Sequence, residues 1–332
     1  MAMILRRRFL HLTLSTAGSL GFVRPFPSQA QDALDSLKIL VGYPPGGSND
    51  VVARWVAGKL VGNYATVAMV DNKPGAAGRL VVDVLKSLPA DGKTMLLTPS
   101  SVVTLYPHVY RQLSYDPVTD LTPVAVACDQ VHALAVGTPV PEQVRTVADF
   151  VAWAKANPAK ANCGNPGEGS TPHLLTFMLV KSSGAPIQAV PYRGVAPAVN
   201  DLISGQLASA MLPDGAFLPY ATDGRARVLA TTGTARSPFF PEVRTFAEQG
   251  LRNIVVTEWI GFFMRAGTSE SIVNKAADTI AYALRQSDLI EAFAKAGLVS
   301  APSTPTELAR RLSTDRTYWG PVVKSSGFAP IE

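Results

Sequence analysis

Residues 41–50, Val41-Gly42-Tyr43-Pro44-Pro45-Gly46-Gly47-Ser48-Asn49-Asp50, end one hydrophobic periodicity and begin another. Upstream, Leu37–Tyr43 is a short apolar run bounded by turn residues, which reads as a strand. Downstream, Val51, Val52, Trp55, Val56 and Leu60 recur at helical spacing, with Ser48 placed to cap that helix. Strand, glycine-rich turn and helix make one βα unit, and the pattern continues along the chain. Ala65–Val70 and Thr94–Thr98 read as strands with a helix over Val81–Leu88 between them. A second block begins at Val131–Val136. Thr146 caps Val147–Ala156, Pro172 sits at the first position of a helix that Gly184 ends, and strands follow at Ile187–Val190, Leu207–Leu212 and Arg227–Thr231. Val255–Met264 is a strand leading back to the first block. Helices at Thr268–Arg285 and Ser287–Ala296 follow, and a last one begins at the capping box Thr304-Pro305-Thr306-Glu307, with a kink expected at Pro321. The expected class is α/β with a mostly parallel sheet.

The first 30 residues read as an address rather than as fold. Arg6-Arg7-Arg8 precede Phe9-Leu10, a weakly apolar run reaches Val23, and Ser28-Gln29-Ala30 offers small residues for cleavage after Ala30. The run is too short to span a membrane, which takes roughly 20 apolar residues. Twin arginine followed by Phe-Leu reads as a Tat signal, with an ordinary Sec signal as the alternative. The expectation is a periplasmic protein with no stable membrane insertion after cleavage. Of the 30 basic residues, Arg6, Arg7, Arg8 and Arg24 belong to this segment, leaving 26 against 25 acidic residues. A near-neutral mature chain without a basic block has no footprint for nucleic acid.

About 300 remaining residues exceed what one core usually serves, so two domains are expected. The chain crosses between them near 125–130 and 252–258, giving residues 31–127 with 256–332 as one domain and 128–255 as the other. Two crossover strands make a hinge around a cleft. Cys128 and Cys163 form no CxxC pair; buried thiols or a disulfide are both open.

The loop at 43–50 is built to meet an anion: glycines let backbone N–H groups approach a ligand, and a helix N-terminus favours negative charge. A tight turn with Ser48 as a plain cap is the competing reading. It is neither a P-loop nor GxGxxG, and no motif calls for a cofactor. A second loop, Gly164–His173, again puts glycines and hydroxyls before a helix start. The two loops facing each other would form a pincer. His108, His132 and His173 are too scattered for a zinc site, and no GxSxG elbow occurs, so no catalytic or metal residue is assigned. His173 is expected to pack at its helix start. Asp50 complements the helix dipole and Asp214 serves a turn with Gly215. Trp259 packs in the core or approaches the cleft.

The stretches YPPGGSNDVVAR (43–54), DNKPGAAG (71–78), PADGKTMLL (89–97), SYDPVTDLTPVA (114–125), GSTPH (169–173), VPYRGVAPAVNDLISGQ (190–206), RSPFFPEVRTFAEQGL (236–251) and WGPVVKSSGF (319–328) occur in order. The chain thereby resembles the Bug, or TctC-type, receptors of tripartite tricarboxylate transporters. The resemblance implies a two-domain type II periplasmic-binding-protein fold, a flytrap of two α/β domains. It implies no enzyme but a receptor that hands a small carboxylate ligand to integral membrane permease subunits. The site it implies is Tyr43, Gly46, Gly47, Ser48, Asn49 and Asp50 in the first loop and Gly169, Ser170 and Thr171 in the second, with Ser100, Ser101 and Asp214 bordering the cleft. Glu168 departs from the uncharged residue usual there and would repel an anion unless it points away or the ligand carries a cationic group. A sensor for a membrane kinase and a periplasmic hydrolase are the competing functions.

Overall fold

In the computed structural model residues 33–332 are described; the export signal and its cleavage site lie outside them. Ten strands carry the architecture: β1 (Leu34–Val41), β2 (Ala65–Asn72), β3 (Thr94–Pro99), β4 (Leu121–Val136), β5 (Asn162–Asn165), β6 (Gln188–Pro191), β7 (Ser209–Pro213), β8 (Arg227–Thr231), β9 (Thr257–Arg265) and β10 (Val299–Ser300). They lie in the order β2-β1-β3-β9-β4-β7-β5-β6, with β8 and β10 pairing β4 off that path. Pairs β1–β2, β1–β3, β5–β6 and β5–β7 are parallel. Every pairing of β9 and β4 is antiparallel. The sheet is therefore mixed, not mostly parallel, because the returning strand β9 enters against β3.

β4 is the spine. It spans 16 residues and begins ten residues before the strand expected from Val131–Val136. Leu121–Val131 pairs with β9, whereas His132–Val136 pairs with β7. One strand thus serves two parts of the sheet, and its length exceeds the short apolar run that the sequence displays.

Two of the three hydrophobic clusters among the described residues keep to one part of the sheet, while the largest spans both, from Leu40 and Leu96 to Leu134 and Met211. Leu37, Val56, Phe262 and Phe293 belong to a cluster on β1, β3 and β9, and Ala133, Leu202, Leu212 and Phe217 to one around β7. The helix Ser48–Leu60 buries Val52, Val56 and Leu60 as its spacing predicts. The capping boxes at Thr146 and Thr304 form, and Gly184 ends its helix at φ +60°. One expectation changes. Gly47, not Ser48, is the N-cap, and Ser48 begins the helix with no side-chain cap. The last helix, Pro305–Ser326, continues through Pro321. Pro321 and Thr317, whose carbonyl that ring deprives of its bond, both face solvent, where water serves instead.

Both cysteines are buried free thiols, Cys128 on β4 and Cys163 on β5. Among the described residues no helix is long and apolar enough to cross a membrane, and no cluster of His, Cys, Asp and Glu is arranged to hold a metal.

Candidate ligand-binding cleft

A narrow cavity of about 60 Å³ opens beyond the C-terminal ends of the parallel strands β1, β3, β5 and β7. Open α/β sheets place their ligands at such strand ends. One water takes about 10–15 Å³ on this measure, so the space suits a few waters or a small solute. A wider chamber of about 580 Å³ adjoins it and shares Tyr43, Pro44, Pro166, Arg193 and Gly194 with it.

The first loop is rigidly tied from behind. Asp50, buried in the first helical turn, accepts from the Gly46 N–H (2.9 Å), from Asn72 Nδ2 (3.0 Å) and from Arg54 Nε (3.0 Å). Asn72 also donates to the Tyr43 carbonyl (3.1 Å), fixing the start of the turn. Burial pushes the Asp50 carboxyl up, yet the Arg54 guanidinium, the Gly46 N–H and Asn72 together hold it below the usual aspartate range. Gly46 sits at φ +89°, a conformation that favours glycine. The result aims the front of the loop at the cavity, where Gly47, Ser48 and Asn49 line it. Ser48 and Asn49 are the first helical residues, whose N–H groups have no intrahelical partner.

Pro166, Ser170 and Pro172 of the second loop line the same cavity as the first. Its side chains are more heavily committed. Ser170 Oγ donates to the Gly167 carbonyl (2.7 Å) and caps the helix by accepting from His173 N–H (3.4 Å). His173 Nδ1 accepts from Gly169 N–H (3.0 Å), and burial drives its pKa down to about 4, so it is a neutral packing group as expected. Thr171 Oγ1 donates to Glu258 Oε1 (2.9 Å) rather than into open space.

Glu258 on β9 is the group that sequence reading missed. It is 4% exposed and lines the cavity together with Gln130 and His132 of β4. Gln130 Nε2 donates to Glu258 Oε2 (3.2 Å), and His132 Nε2 lies 3.1 Å from the same oxygen, though not aligned as a good hydrogen bond. Burial pushes the Glu258 carboxyl up; His132, then the Thr171 and Ser101 hydroxyls, outweigh it and hold the carboxyl below its usual value. The second missed group is Arg193, which is exposed, lines both chambers and makes no hydrogen bond or ion pair among the described residues. Gln130 and His132 on one crossover strand and Glu258 on the other were the available signal for the first group. The arginine before Gly194 was the signal for the second.

Of the twelve expected site residues, Tyr43, Gly47, Ser48, Asn49, Ser101 and Ser170 line the cavity. Gly46 and Asp50 stand behind the loop, and Gly169 is held against Tyr110. Thr171 reaches the cavity only through Glu258, and Ser100 is buried at the start of a short helix. Asp214 lies outside the lining, accepting from Ser237 Oγ (2.5 Å), with burial raising its pKa to about 6. Glu168 is exposed and borders the wider chamber, while its carbonyl accepts from Tyr110 Oη (2.7 Å). Trp259 is fully buried, and its Nε1 donates to Asp315 (2.6 Å).

The profile described as "Tripartite tricarboxylate transporter family receptor", TctC, matches residues 52–328. Protein BugT of Bordetella pertussis is 31% identical over 292 residues, covering 88% of this chain and 89% of its own. Among solved structures, an R. palustris protein with adipate superposes at TM-score 0.84 with 30% identity, covering 89% of this chain and 98% of that one. A structure described as a periplasmic transporter superposes at TM-score 0.84 with 27% identity, covering 92% and 100%.

Proposed function

Because the chain belongs to the TctC receptor family of periplasmic solute-binding proteins, we propose that it captures a small carboxylate in this cleft and delivers it to an integral membrane permease. The observation that carries the reading is the pairing of two loop-to-helix turns across one cavity, with the unengaged guanidinium of Arg193 beside them. Unpartnered N–H groups at a helix start and a free arginine suit an acceptor-only group. In this reading residues 31–127 with 256–332 and residues 128–255 are two domains that close on the ligand about β4 and β9. In this reading binding proceeds without turnover: among the described residues no hydroxyl is hydrogen bonded to the His132 ring, and those of Ser170 and Thr171 are spent on Gly167 and Glu258.

The test starts from the small molecule that copurifies with the protein, identified by mass spectrometry after denaturation. A micromolar binder needs about −8 kcal/mol, and each hydrogen bond to a charged group contributes roughly 1.5–3 kcal/mol. Amidating the ligand carboxylate should therefore weaken binding at least tenfold in calorimetry. Equal affinity for acid and amide would reduce both loops to turns, and chemical conversion of the ligand would make the protein an enzyme.

Export by the twin-arginine route belongs to the same proposal and rests on Arg6, Arg7, Phe9 and Leu10. Replacing Arg6 and Arg7 by lysine should leave precursor in the cytoplasm. Normal maturation in a strain lacking the Tat translocase overturns that route.

A further inference from the structure

We infer that the ligand carries a protonated amine as well as a carboxylate, an amino-acid type zwitterion, and that Glu258 with the amide oxygens of Gln130 and Asn49 forms its ammonium subsite. The inference rests on the receptor reading above and narrows its ligand class.

The starting point is a buried negative charge where an anion is to bind. Glu258 is 4% exposed and lines the same cavity as Gly47, Ser48 and Asn49. Thr171 and Gln130 donate to it and His132 Nε2 lies 3.1 Å from Oε2, which takes up most of the roughly four lone-pair sites of a carboxylate. Glu258 therefore acts on a ligand through its field, and its neighbours supply the direct contacts. Because Gln130 turns its amide nitrogen to Glu258, its Oε1 is left as an acceptor; the carboxylate fixes that amide orientation. Gln130 Oε1 is buried and lacks a partner. Asn49 Oδ1, on a residue that lines the same cavity, is buried without a partner as well.

Unpartnered buried acceptors are costly and call for a donor. A plain carboxylate brings only acceptors and a charge of the same sign as that of Glu258. An ammonium brings three donors and a compensating charge. Arg193 sits exposed on the cavity lining, so the cleft itself is dipolar, negative at the buried Glu258 and positive at the accessible guanidinium. A zwitterion is complementary to that arrangement at both ends.

The experiment is calorimetry on the mature protein, freed of bound ligand by unfolding and refolding, with acids matched in skeleton. L-Aspartate is set against succinate, L-glutamate against glutarate, L-2-aminoadipate against adipate and L-alanine against propionate. The best-binding pair should favour its amino member at least tenfold, and N-acetylation of that member should remove the advantage. Glu258→Gln, checked for an unchanged fold by circular dichroism, should erase or reverse the preference; the wild-type comparison stands even where that variant does not fold. Equal or tighter binding of the plain acids overturns the ammonium subsite and leaves the carboxylate receptor standing. A panel in which nothing binds overturns the inference together with the receptor reading.

Discussion

Replacing Arg193 by glutamate should weaken ligand capture by a hundredfold or more while leaving folding nearly unchanged. Arg193 is exposed and has no hydrogen bond or ion pair among the described residues, so its removal takes none from the protein itself. Surface substitutions of that kind usually stay within about 0.5 kcal/mol of stability. The ligand, however, would lose a charge-assisted hydrogen bond of roughly 1.5–3 kcal/mol. It would also meet a like charge; at about 4 Å and an effective dielectric constant near 20 that repulsion is about 4 kcal/mol, less where solvent screens it. Even with half of the repulsion screened, about two decades of affinity are lost. Arg193→Ala removes only the attraction and should cost about one to two decades, with the wild-type affinity falling as salt is raised and the alanine variant responding less. Titration of both variants at two ionic strengths, beside thermal unfolding, checks the result. Affinity within twofold of wild type for Arg193→Glu would place the carboxylate elsewhere in the cleft.

The features legible in the sequence are those whose chemistry is local. The turn at 43–50 was readable because strand periodicity, glycines and helix periodicity follow one another within about twenty residues. Its two faces were not separable. Nothing in the order of residues says that Asp50 looks backward to Gly46 while Ser48 and Asn49 look forward, since that depends on Asn72 arriving from β2. The hydroxyls of the second loop were read as ligand donors for a similar reason. Ser170 caps its own helix, a local use the sequence permits, but Thr171 is claimed by a residue 87 positions away. The base of the cleft was hidden altogether. Gln130 and Glu258 are 128 residues apart and meet only because β4 and β9 pair there in register. Strand direction suffered from the same limit, for a short apolar run gives no sign of whether its neighbour is parallel.

Asp50→Ala should destabilise the protein by about 2–4 kcal/mol and abolish detectable ligand binding, although Asp50 does not line the cavity. The carboxylate is 3% exposed and gathers Gly46, Asn72 and Arg54. Arg54 is half exposed, so its share is screened and small. Most of the loss comes from the other two donors, since a buried donor left without a partner costs roughly 1–3 kcal/mol. Without the Gly46 anchor the turn loses the bond that holds its left-handed residue, and the N–H groups of Ser48 and Asn49 lose their aim. Asp50→Asn keeps an acceptor for Gly46 or Asn72 but not for both, and should fall between. Acid should mimic the substitution. The folded Asp50 titrates below its unfolded value, so its stabilisation is present above about pH 4 and is lost as the pH falls through the depressed folded value. Urea unfolding of wild type and Asp50→Ala across pH 3–7 should therefore converge at the acid end. A gap that stays constant over that range, or an alanine variant that binds ligand normally, would show that the turn holds its shape without this carboxylate.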